Sequence, residues 1–450
     1  MPDAPAPTPA APPARRDLER EIAAVWRIEA PKLIAGVARI VRDVGLAEEM
    51  TQDALVAALE RWPRDGLPDK PGAWLMTTAR NRALDHLRER ALHARKEEAL
   101  GLEMQALGQH QQPDFAPALI EALDAAQDGI GDDLLRLIFT ACHPVLSTEA
   151  RVALTLRLLG GLSTDEIARA FLAPEPTIAQ RIVRAKRSLS AARVPFELPS
   201  GAERVARLAS VLEVIYLIFN EGYSATSGED WMRPALCEEA LRLGRVLAGL
   251  MPDEAEVHGL LALLEIQASR LPARTDARGR PVLLMAQDRA RWDRLLIRRG
   301  LAALARAEAL AVERAALGPY ALQAGIAACH ARAPGPADTD WPLIVALYDA
   351  LAQLAPSPVV ELNRAVAIGM APGAGCGPAA ALEIVDRLGA DPALKNYHWL
   401  PSVRGDLLLK LQRPAEARAE FERAAALTRN ERERALLLER AAGSSLSTGT

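Results

Sequence analysis

The stretch from 161 to 193, GLSTDEIARAFLAPEPTIAQRIVRAKRSLSAAR, constrains the fold more than any other part of the chain. Ser163 followed three residues later by Glu166 has the spacing of a capping box, which satisfies backbone donors at a helix start. Pro174 and Pro176 prevent that helix from continuing, and they suit the turn and the first position of a second helix. The pattern therefore predicts two short helices joined by a tight turn.

The second helix of this pair has one apolar face and one basic face. Its inward stripe recurs at helical spacing and consists of Ile178, Ile182, Ala185 and Leu189. The opposite face carries Thr177, Gln180, Arg181, Arg184 and Arg187. From 177 to 193 there is no acidic residue, and the five basic ones are Arg181, Arg184, Lys186, Arg187 and Arg193. Such a helix suits a DNA major groove, with Arg181, Arg184, Lys186 and Arg187 on phosphates or base edges. An ordinary helical hairpin with a solvated charged face is the alternative.

Composition favours an all-α protein with more than one domain. Half of the 450 residues are hydrophobic but only 4% are aromatic, and runs of β-branched residues are scarce. A chain of this length is expected to hold two to four domains. The net charge is −4, so any charge that binds DNA must be local.

The same numbers favour a cytoplasmic protein without a cofactor. No apolar run approaches the ~20 residues of a membrane span, and the N-terminus lacks the pattern of a signal peptide. The four cysteines lie far apart and form no CxxC pair, which fits buried thiols in a reducing compartment. His143 beside Cys142 has no second ligand pair at zinc spacing, so no metal is expected.

The N-terminal part begins with a predicted disordered tail over residues 1–16, which are rich in Pro and Ala. Helical periodicity starts near Asp17, a second helix is expected after Pro31, and a third is expected over residues 46–62. The first turns of that third helix are acidic and contain Glu48, Glu49, Gln52 and Asp53. Acidic residues are common there because they complement the helix macrodipole, so the pattern alone does not assign a function.

A basic segment follows from Trp74 to Lys96, with six basic and two acidic residues. Trp74, Thr78, Asn81 and the arginines could bind single-stranded bases by stacking, amide hydrogen bonds and phosphate pairing. A core tryptophan on a solvated basic helix is the alternative. Residues 97–131 are polar and Gln-rich and are predicted to form a linker. Helical periodicity resumes at Asp132 and leads into the helix-turn-helix.

These segments, in this order, resemble a bacterial RNA polymerase sigma factor of the extracytoplasmic-function type. The resemblance is carried by AEEMTQDALVAALERW, WLMTTARNRALDHLRER and LSTDEIARAFLAPEPTIAQRIVRAKRSL. It implies a region 2 over 17–96 and a region 4 over 132–194, which read the minus-ten and minus-thirty-five elements of a promoter. It also implies core polymerase contacts by Glu48, Glu49, Gln52 and Asp53. The implied promoter contacts in region 2 are Trp74, Arg80, Asn81, Arg82 and Arg88. One departure is the turn of the helix-turn-helix, where the family often has Gly and this chain has Leu172.

The second half, residues 201–443, is predicted to be a helical-repeat domain. Gly405, Ala417, Phe421 and Ala424 sit at the offsets of one tetratricopeptide unit, where small residues let paired helices approach and Phe421 fills the gap. Segments such as IFNEGYSA and SPVVELNRAVA resemble the extension of one extracytoplasmic-function subgroup. That resemblance implies regulation by the extension, with small YCII-like (DGPF) proteins as partners.

Catalysis in this half is not expected, because its polar residues show neither a nucleophile–base pair nor the spacing of metal ligands. The polar residues that could form a catalytic site are Asn220, Glu221, Tyr223, Asp276, Asp288, Arg289, Asp293, Asp338 and Asp340. Buried helix caps and salt bridges between helices explain most of these charges. The glycines at 373, 375 and 377 follow no predicted strand, so they indicate a loop and not a dinucleotide site.

The sequence therefore predicts a sigma factor that binds core RNA polymerase and promoter DNA and is regulated by its helical extension. A conventional helix-turn-helix regulator with a helical-repeat sensor domain is the alternative, and it would not need the acidic helix or the Trp74 segment. A scaffold that binds no DNA is a third reading, and it leaves the acid-free helix at 177–193 unexplained.

Overall fold

The computed structural model describes residues 13–102, 130–312 and 316–444 of the chain, which are almost entirely helical. It divides into two compact units, Met1–Val214 and Ile215–Thr450. The all-α prediction is confirmed. The strands found in the described residues are two-residue pieces, β1 (Ser227–Gly228) and β2 (Arg429–Asn430), which pair in parallel.

The first unit opens with three long helices. They are α1 (Pro13–Val41), α2 (Val44–Asp65) and α3 (Pro71–Leu102). Helix α1 runs through Pro31, so the expectation of a new helix there was wrong. A proline removes only one backbone donor, and the flanking buried residues Ala30 and Leu33 keep the helix packed.

Residues 130–191, where the described chain resumes, contain four helices, and the last two form the helix-turn-helix. They are α4 (Ile130–Ala141), α5 (Thr148–Leu158), α6 (Thr164–Ala170) and α7 (Glu175–Ala191). Helix α8 (Gly201–Tyr223) contains the boundary between the two units. Its first half packs in the first unit, where Arg207 donates to the Phe139 carbonyl at 2.8 Å and Ser210 to the Cys142 carbonyl at 2.6 Å. The first unit thus extends past residue 194, the predicted end of the region 4 segment.

The second unit is an array of antiparallel helices. They are α9 (Pro234–Leu250), α10 (Ala255–Ala268), α11 (Arg294–Val312), α12 (Pro319–Arg332), α13 (Trp341–Leu354), α14 (Pro358–Met370), α15 (Pro378–Leu388), α16 (Trp399–Lys410), α17 (Pro414–Leu427) and α18 (Glu431–Ser444). Short 3-10 helices lie at Leu271–Ala273, Leu284–Ala286, Arg289–Arg291, Pro336–Asp338 and Pro392–Leu394.

The tetratricopeptide-like packing near the C-terminus is confirmed in detail. Phe421 of α17 is fully buried against Gly405 of α16, and a Cβ at Gly405 would lie 2.7 Å from its ring. Ala417 and Ala424 on the same helix are also fully buried. A glycine is needed here because the two helices approach too closely for any side chain.

Two predicted segments fall largely outside the described residues, namely the tail over 1–16 and the linker over 97–131. Where they are described, both ends are helical: Pro13 starts α1, since proline is well tolerated in a first turn, and α3 continues to Leu102. No helix in the described part of the chain combines the length and the apolar character that a membrane crossing needs.

Candidate functional site

The helix-turn-helix forms as its sequence predicts. Glu166 donates its backbone N–H to Ser163 Oγ at 3.1 Å, and Ser163 donates its own to Glu166 Oε2 at 2.7 Å, which completes the capping box. Leu172 in the turn has φ = +47°, a left-handed conformation that glycine adopts without strain. The turn therefore keeps a glycine-like geometry despite its leucine.

Helix α7 buries the predicted stripe and exposes most of the predicted DNA-binding residues. Ile178, Ile182, Ala185 and Leu189 are all buried. On the other face Thr177, Gln180, Arg184 and Arg187 are exposed and Arg181 is half-buried. At about 100° per residue, Arg181 and Arg184 lie about 60° and 120° from Ile178 in one direction. These five side chains share a surface that a groove of DNA could cover.

Lys186 does not belong to that surface. It lies about 80° from Ile178 in the opposite direction, on the flank of α7 that faces α2. There its ammonium group forms an ion pair with Glu48 of α2. Glu48 is only 3% exposed and also accepts a hydrogen bond from Arg157 Nε of α5 at 2.7 Å. One predicted polymerase contact and one predicted DNA contact are thus bonded to each other.

The other three predicted polymerase contacts lie on the same helix as Glu48. Gln52 donates its amide to Glu48 Oε1 at 2.7 Å, and Asp53 pairs with Arg82 of α3 at 2.8 Å. Glu49 is exposed. Helix α2 begins at Val44, and Asp43 caps it by accepting the Leu46 backbone N–H at 2.9 Å. The predicted polymerase contacts therefore lie beyond the first turn of the helix, and the macrodipole alternative does not account for them.

Helix α3 brings most of the predicted region 2 contacts to one face. Trp74 is half-buried, with its ring edge-on to the buried Trp62 at 5.4 Å between centroids, so it is partly a core residue. Asn81 and Arg88 are exposed and lie within about 40° of Trp74 around the helix, and Arg82 lies about 80° away. Arg80 lies about 120° away on the other side and is half-buried. Arg80 is therefore not brought to the face that carries the other four.

A second ion-pair cluster joins α1 to α4. Asp133 of α4 is 4% exposed and pairs with Arg39 of α1 at 3.2 Å and with Arg136 of its own helix. Burial raises the pKa of Asp133, and the two arginines partly oppose that increase. The sequence analysis did not identify Arg157, Arg39 and Asp133, because each has a partner on another helix. Arg157 and Glu48, for example, are separated by 109 positions in the chain.

The Cys142–His143 pair is structural. Cys142 is buried, with its sulfur 3.4 Å from Thr155 Oγ1, and burial raises the pKa of its thiol to about 11. His143 Nδ1 accepts the Val145 backbone N–H at 3.1 Å. No cluster of three or more metal-ligating side chains occurs among the residues that the structure describes.

The polar residues weighed as a catalytic group in the second half act largely as caps and ion pairs. Glu221 pairs with Arg233, and Asp276 with Arg280 at 2.8 Å. Residues that accept backbone N–H groups at helix starts are Asp288, Asp293, Asp338 and Asp340. The three glycines at 373, 375 and 377 all have positive φ in a loop that follows helix α14. This loop is not the strand-to-helix turn of a dinucleotide site.

Family models match three parts of the chain. Residues 26–92 match Sigma-70 region 2 and residues 136–189 match Sigma-70 region 4, which cover the α1–α3 and α4–α7 groups of helices. Residues 207–308 match a family of unknown function, DUF6596. The ECF RNA polymerase sigma factor SigK of Mycobacterium ulcerans is 30% identical over 157 residues, covering 34% of this chain and 75% of that protein. The chain belongs to the extracytoplasmic-function sigma factor family.

Three further proteins are similar to this chain. The probable ECF sigma factor SigI of Mycobacterium tuberculosis is 27% identical over 190 residues, or 42% of this chain and 61% of SigI. An uncharacterized protein of Rhizobium meliloti is 44% identical over 407 residues, or 90% of this chain and 92% of that protein. Yeast Tom70 aligns with 97% of this sigma factor and 87% of its own chain at 12% identity and a TM-score of 0.35.

This sigma factor therefore directs promoter-specific transcription through regions 2 and 4. The alternative of a conventional helix-turn-helix regulator is not favoured, because such a protein has no region 2. The sequence prediction of family and function is confirmed.

Proposed function

We propose that the sigma module of the unbound protein is closed and that promoter recognition requires it to open. The observation that carries this proposal is the buried carboxylate of Glu48, which is held between Arg157 and Lys186. Glu48 is on the helix expected to dock on core polymerase, and Lys186 is on the helix expected to read DNA. While the pair is intact, the carboxylate of Glu48 is closed to an outside partner and the ammonium group of Lys186 is engaged by it.

Helix geometry supports the proposal. Helix α2 packs against α3 through Trp62 and Trp74 and contacts α7 through Glu48 and Lys186. Packed helices lie about 8–10 Å apart, so the axes of α3 and α7 are within about 20 Å of each other. The minus-ten and minus-thirty-five positions lie about 25 base pairs apart by their names, which is about 85 Å of B-form DNA at about 3.4 Å for each base pair. A closed module therefore cannot read both elements at once.

The ion pairs of Glu48 with Arg157 and Lys186 are suited to act as a switch between the closed and open states. Separating α2 from α7 takes Lys186 away from Glu48, which costs free energy unless another cation replaces Lys186. A basic surface of core polymerase can supply that cation. Opening would then be coupled to polymerase binding, and it would release Lys186 at the moment when region 4 becomes able to reach DNA.

In the open state, we assign promoter contacts to the exposed faces of α3 and α7. On α3 these are Trp74, Asn81, Arg82 and Arg88, whereas the orientation of Arg80 fits a phosphate or polymerase contact better than a base contact. On α7 they are Thr177, Gln180, Arg181, Arg184 and Arg187, joined by Lys186 as a phosphate contact. Core polymerase would contact α2 through Glu48, Glu49, Gln52 and Asp53.

We further propose that the helical extension regulates the module from within the cytoplasm, without catalysis of its own. Helical-repeat arrays offer concave surfaces for partners, and covalent attachment keeps this one at high effective concentration near the module. A small YCII-like (DGPF) protein is the partner that the family resemblance implies.

Transcription in vitro with core polymerase that lacks its own specificity subunit tests these proposals. With genomic DNA as template, mapped transcript starts should share two upstream motifs whose centres are about 25 base pairs apart. The full chain should be compared with a chain that ends at Val214, because a cut after Ser200 would remove the Arg207 and Ser210 contacts of the first unit. Equal output from both chains would remove the regulatory role, and random starts would contradict the promoter assignments.

A further inference from the structure

The helical array of the second unit is joined at its two ends. Strand β1, after α8, pairs with strand β2, between α17 and α18. The buried Asn430 donates its amide to the carbonyls of Ala225 at 3.1 Å and Asp230 at 2.8 Å, about 200 positions earlier in the chain. These bonds fix the first and last parts of the array to each other.

A cavity of about 410 Å³ lies inside this unit and takes residues from both parts. Tyr223 comes from the first part, Arg270 and Arg274 from the segment after α10, and Tyr397 and Trp399 from the start of α16. Small-molecule sites commonly have volumes of about 300–1,000 Å³. The cavity therefore has room for a small molecule but not for a folded domain.

The charge on the wall of the cavity is positive and uncompensated. Arg270 is 4% exposed and donates to Gln267 Oε1 at 3.3 Å and to the Ala327 carbonyl at 3.1 Å, while its Nε has no acceptor. Arg274 donates to the Tyr223 carbonyl at 2.9 Å, with its guanidinium 3.7 Å from the centre of the Tyr223 ring. Within the described residues, neither guanidinium forms an ion pair with a carboxylate. Buried charges in proteins are normally paired, so these two lack a counter-ion.

A third arginine adds to the positive potential nearby. Arg289 is buried and donates to the neutral carbonyls of His330 and Ala333, and the carboxylate of Asp338 offsets only part of its charge. Burial lowers the pKa of His330 to about 3, and the charges of Arg270 and Arg289 contribute to this decrease. Burial also lowers the pKa of Arg270, an effect that the Tyr223 hydroxyl opposes and the charge of Arg274 increases. An anion in the cavity would relieve this repulsion.

The cavity also presents an acceptor and flat apolar surfaces. Gln287 lines it and is 5% exposed, with its amide nitrogen fixed on the Val282 carbonyl at 3.1 Å and its buried Oε1 lacking a donor. Tyr397 and Trp399 also line the cavity and are half-buried. A ligand that matches all these groups has an oxyanion, a hydrogen-bond donor and a planar body.

We propose that this cavity binds a small planar organic anion, with its carboxylate or phosphate on Arg274 and Arg270 and its ring beside Tyr397 and Trp399. Because the bound molecule contacts both the first and the last parts of the array, it stabilises the joined form by mass action. The cavity is thus the sensor of the extension. Binding does not depend on the regulatory role proposed above, whereas its effect on transcription rests on that role.

Isothermal titration calorimetry of the full chain with defined probes tests the proposal. The probes are 4-hydroxybenzoate and phenyl phosphate as anions, and 4-hydroxybenzamide as the neutral control. We expect one or both anions to bind in a one-to-one ratio, with dissociation constants of about 1 mM for molecules of this size, and the neutral amide at least about tenfold more weakly. The two anions distinguish a carboxylate ligand from a phosphate ligand. Equal binding of the neutral amide, or binding of neither anion, would overturn the proposal.

Variants locate the binding within the cavity. Arg274→Gln should weaken the preferred anion by at least about tenfold, as loss of one charge-assisted hydrogen bond does. Arg278→Gln, an exposed arginine of the same loop outside the cavity, should change nothing. If Arg274→Gln fails to fold, Asn363→Asp serves instead, because it places a negative charge on the cavity wall at an exposed position. Normal anion binding by a folded cavity variant would refute the site. Transcription measured with and without the bound anion then tests regulation separately.

Discussion

Glu48 of α2 and Lys186 of α7 form an ion pair in which the carboxylate is almost completely buried. The pair joins a helix of region 2 to the second helix of the helix-turn-helix of region 4. Because the sequence predicts a polymerase contact for Glu48 and a DNA contact for Lys186, we propose that their mutual contact belongs to a state in which neither partner is bound. The following predictions test this state and the packing of the extension.

Lys186→Met should shift the module toward the open state. Glu48 keeps Arg157 but loses one of its two cations, and breaking such a contact costs the closed state about 2–5 kcal/mol. An increase of about tenfold or more in the association rate with core polymerase, in the absence of DNA, is the expected result. Stopped-flow fluorescence of labelled core polymerase measures that rate. Arg187→Met is the matched control, since Arg187 neighbours Lys186 but lies on the exposed face; an equal increase there would refute the role of the ion pair.

Arg184→Ala should weaken promoter binding by the assembled holoenzyme. Arg184 is exposed on the face of α7 opposite its buried stripe, and an arginine that is bidentate to guanine contributes about 1–3 kcal/mol. We expect a loss of about 10-fold to 100-fold on the cognate minus-thirty-five sequence and little change on a scrambled one. Electrophoretic mobility shift at fixed salt provides the measurement. If Arg184→Ala and wild type bind alike while Lys186→Ala loses base specificity, the orientation assigned to α7 is wrong.

Gly405→Ala should destabilise the extension by about 1–3 kcal/mol, because the new methyl group overlaps the buried ring of Phe421. Gly249→Ala in α9 has no atom within 4 Å of its new Cβ and should leave stability unchanged or increase it by up to about 1 kcal/mol. Urea unfolding followed by circular dichroism compares the two. Equal stability of both variants would show that α16 and α17 tolerate a wider separation than the structure has.

Acid should destabilise the extension partly through His330. Its pKa is about 3 when folded, against 6.5 for an ordinary histidine, so between these values only the unfolded chain binds the proton. The free energy of unfolding should therefore fall by up to about 1.4 kcal/mol for each pH unit below 6.5 and level off near pH 3. His330→Phe keeps a ring against Trp341 and removes this component, so its stability should depend less steeply on pH. Identical pH slopes for the variant and the wild type would contradict the assignment.

Much of this structure follows from local sequence patterns. The capping box at Ser163, the buried stripe of α7 and the Gly405–Phe421 contact depend on neighbours at helical spacing or in an adjacent helix, where periodicity is informative. The outward face of α7 was predicted in the same way, apart from Lys186. Its side chain is basic like its neighbours, but its angular position places it toward α2.

Other features could not be read from the chain because they depend on distant partners. Arg157 and Glu48 are 109 positions apart, and Asn430 reaches a carbonyl 205 positions earlier. No spacing rule connects such residues, so neither the closed module nor the joined array was predictable. The continuity of α1 through Pro31 was missed for a related reason: burial of the flanking residues outweighs one lost hydrogen bond.

The distance between α3 and α7, measured in the free protein and in the promoter complex, tests the central claim most directly. Fluorophores would be placed at the exposed positions Thr77→Cys and Ala191→Cys, after replacement of the half-buried Cys376 by serine. Förster transfer should report about 30 Å or less in the free chain and about 85 Å when core polymerase and promoter are bound. A protein that starts transcription at its promoter with the short distance unchanged, or that shows the long distance before polymerase is added, would contradict the account.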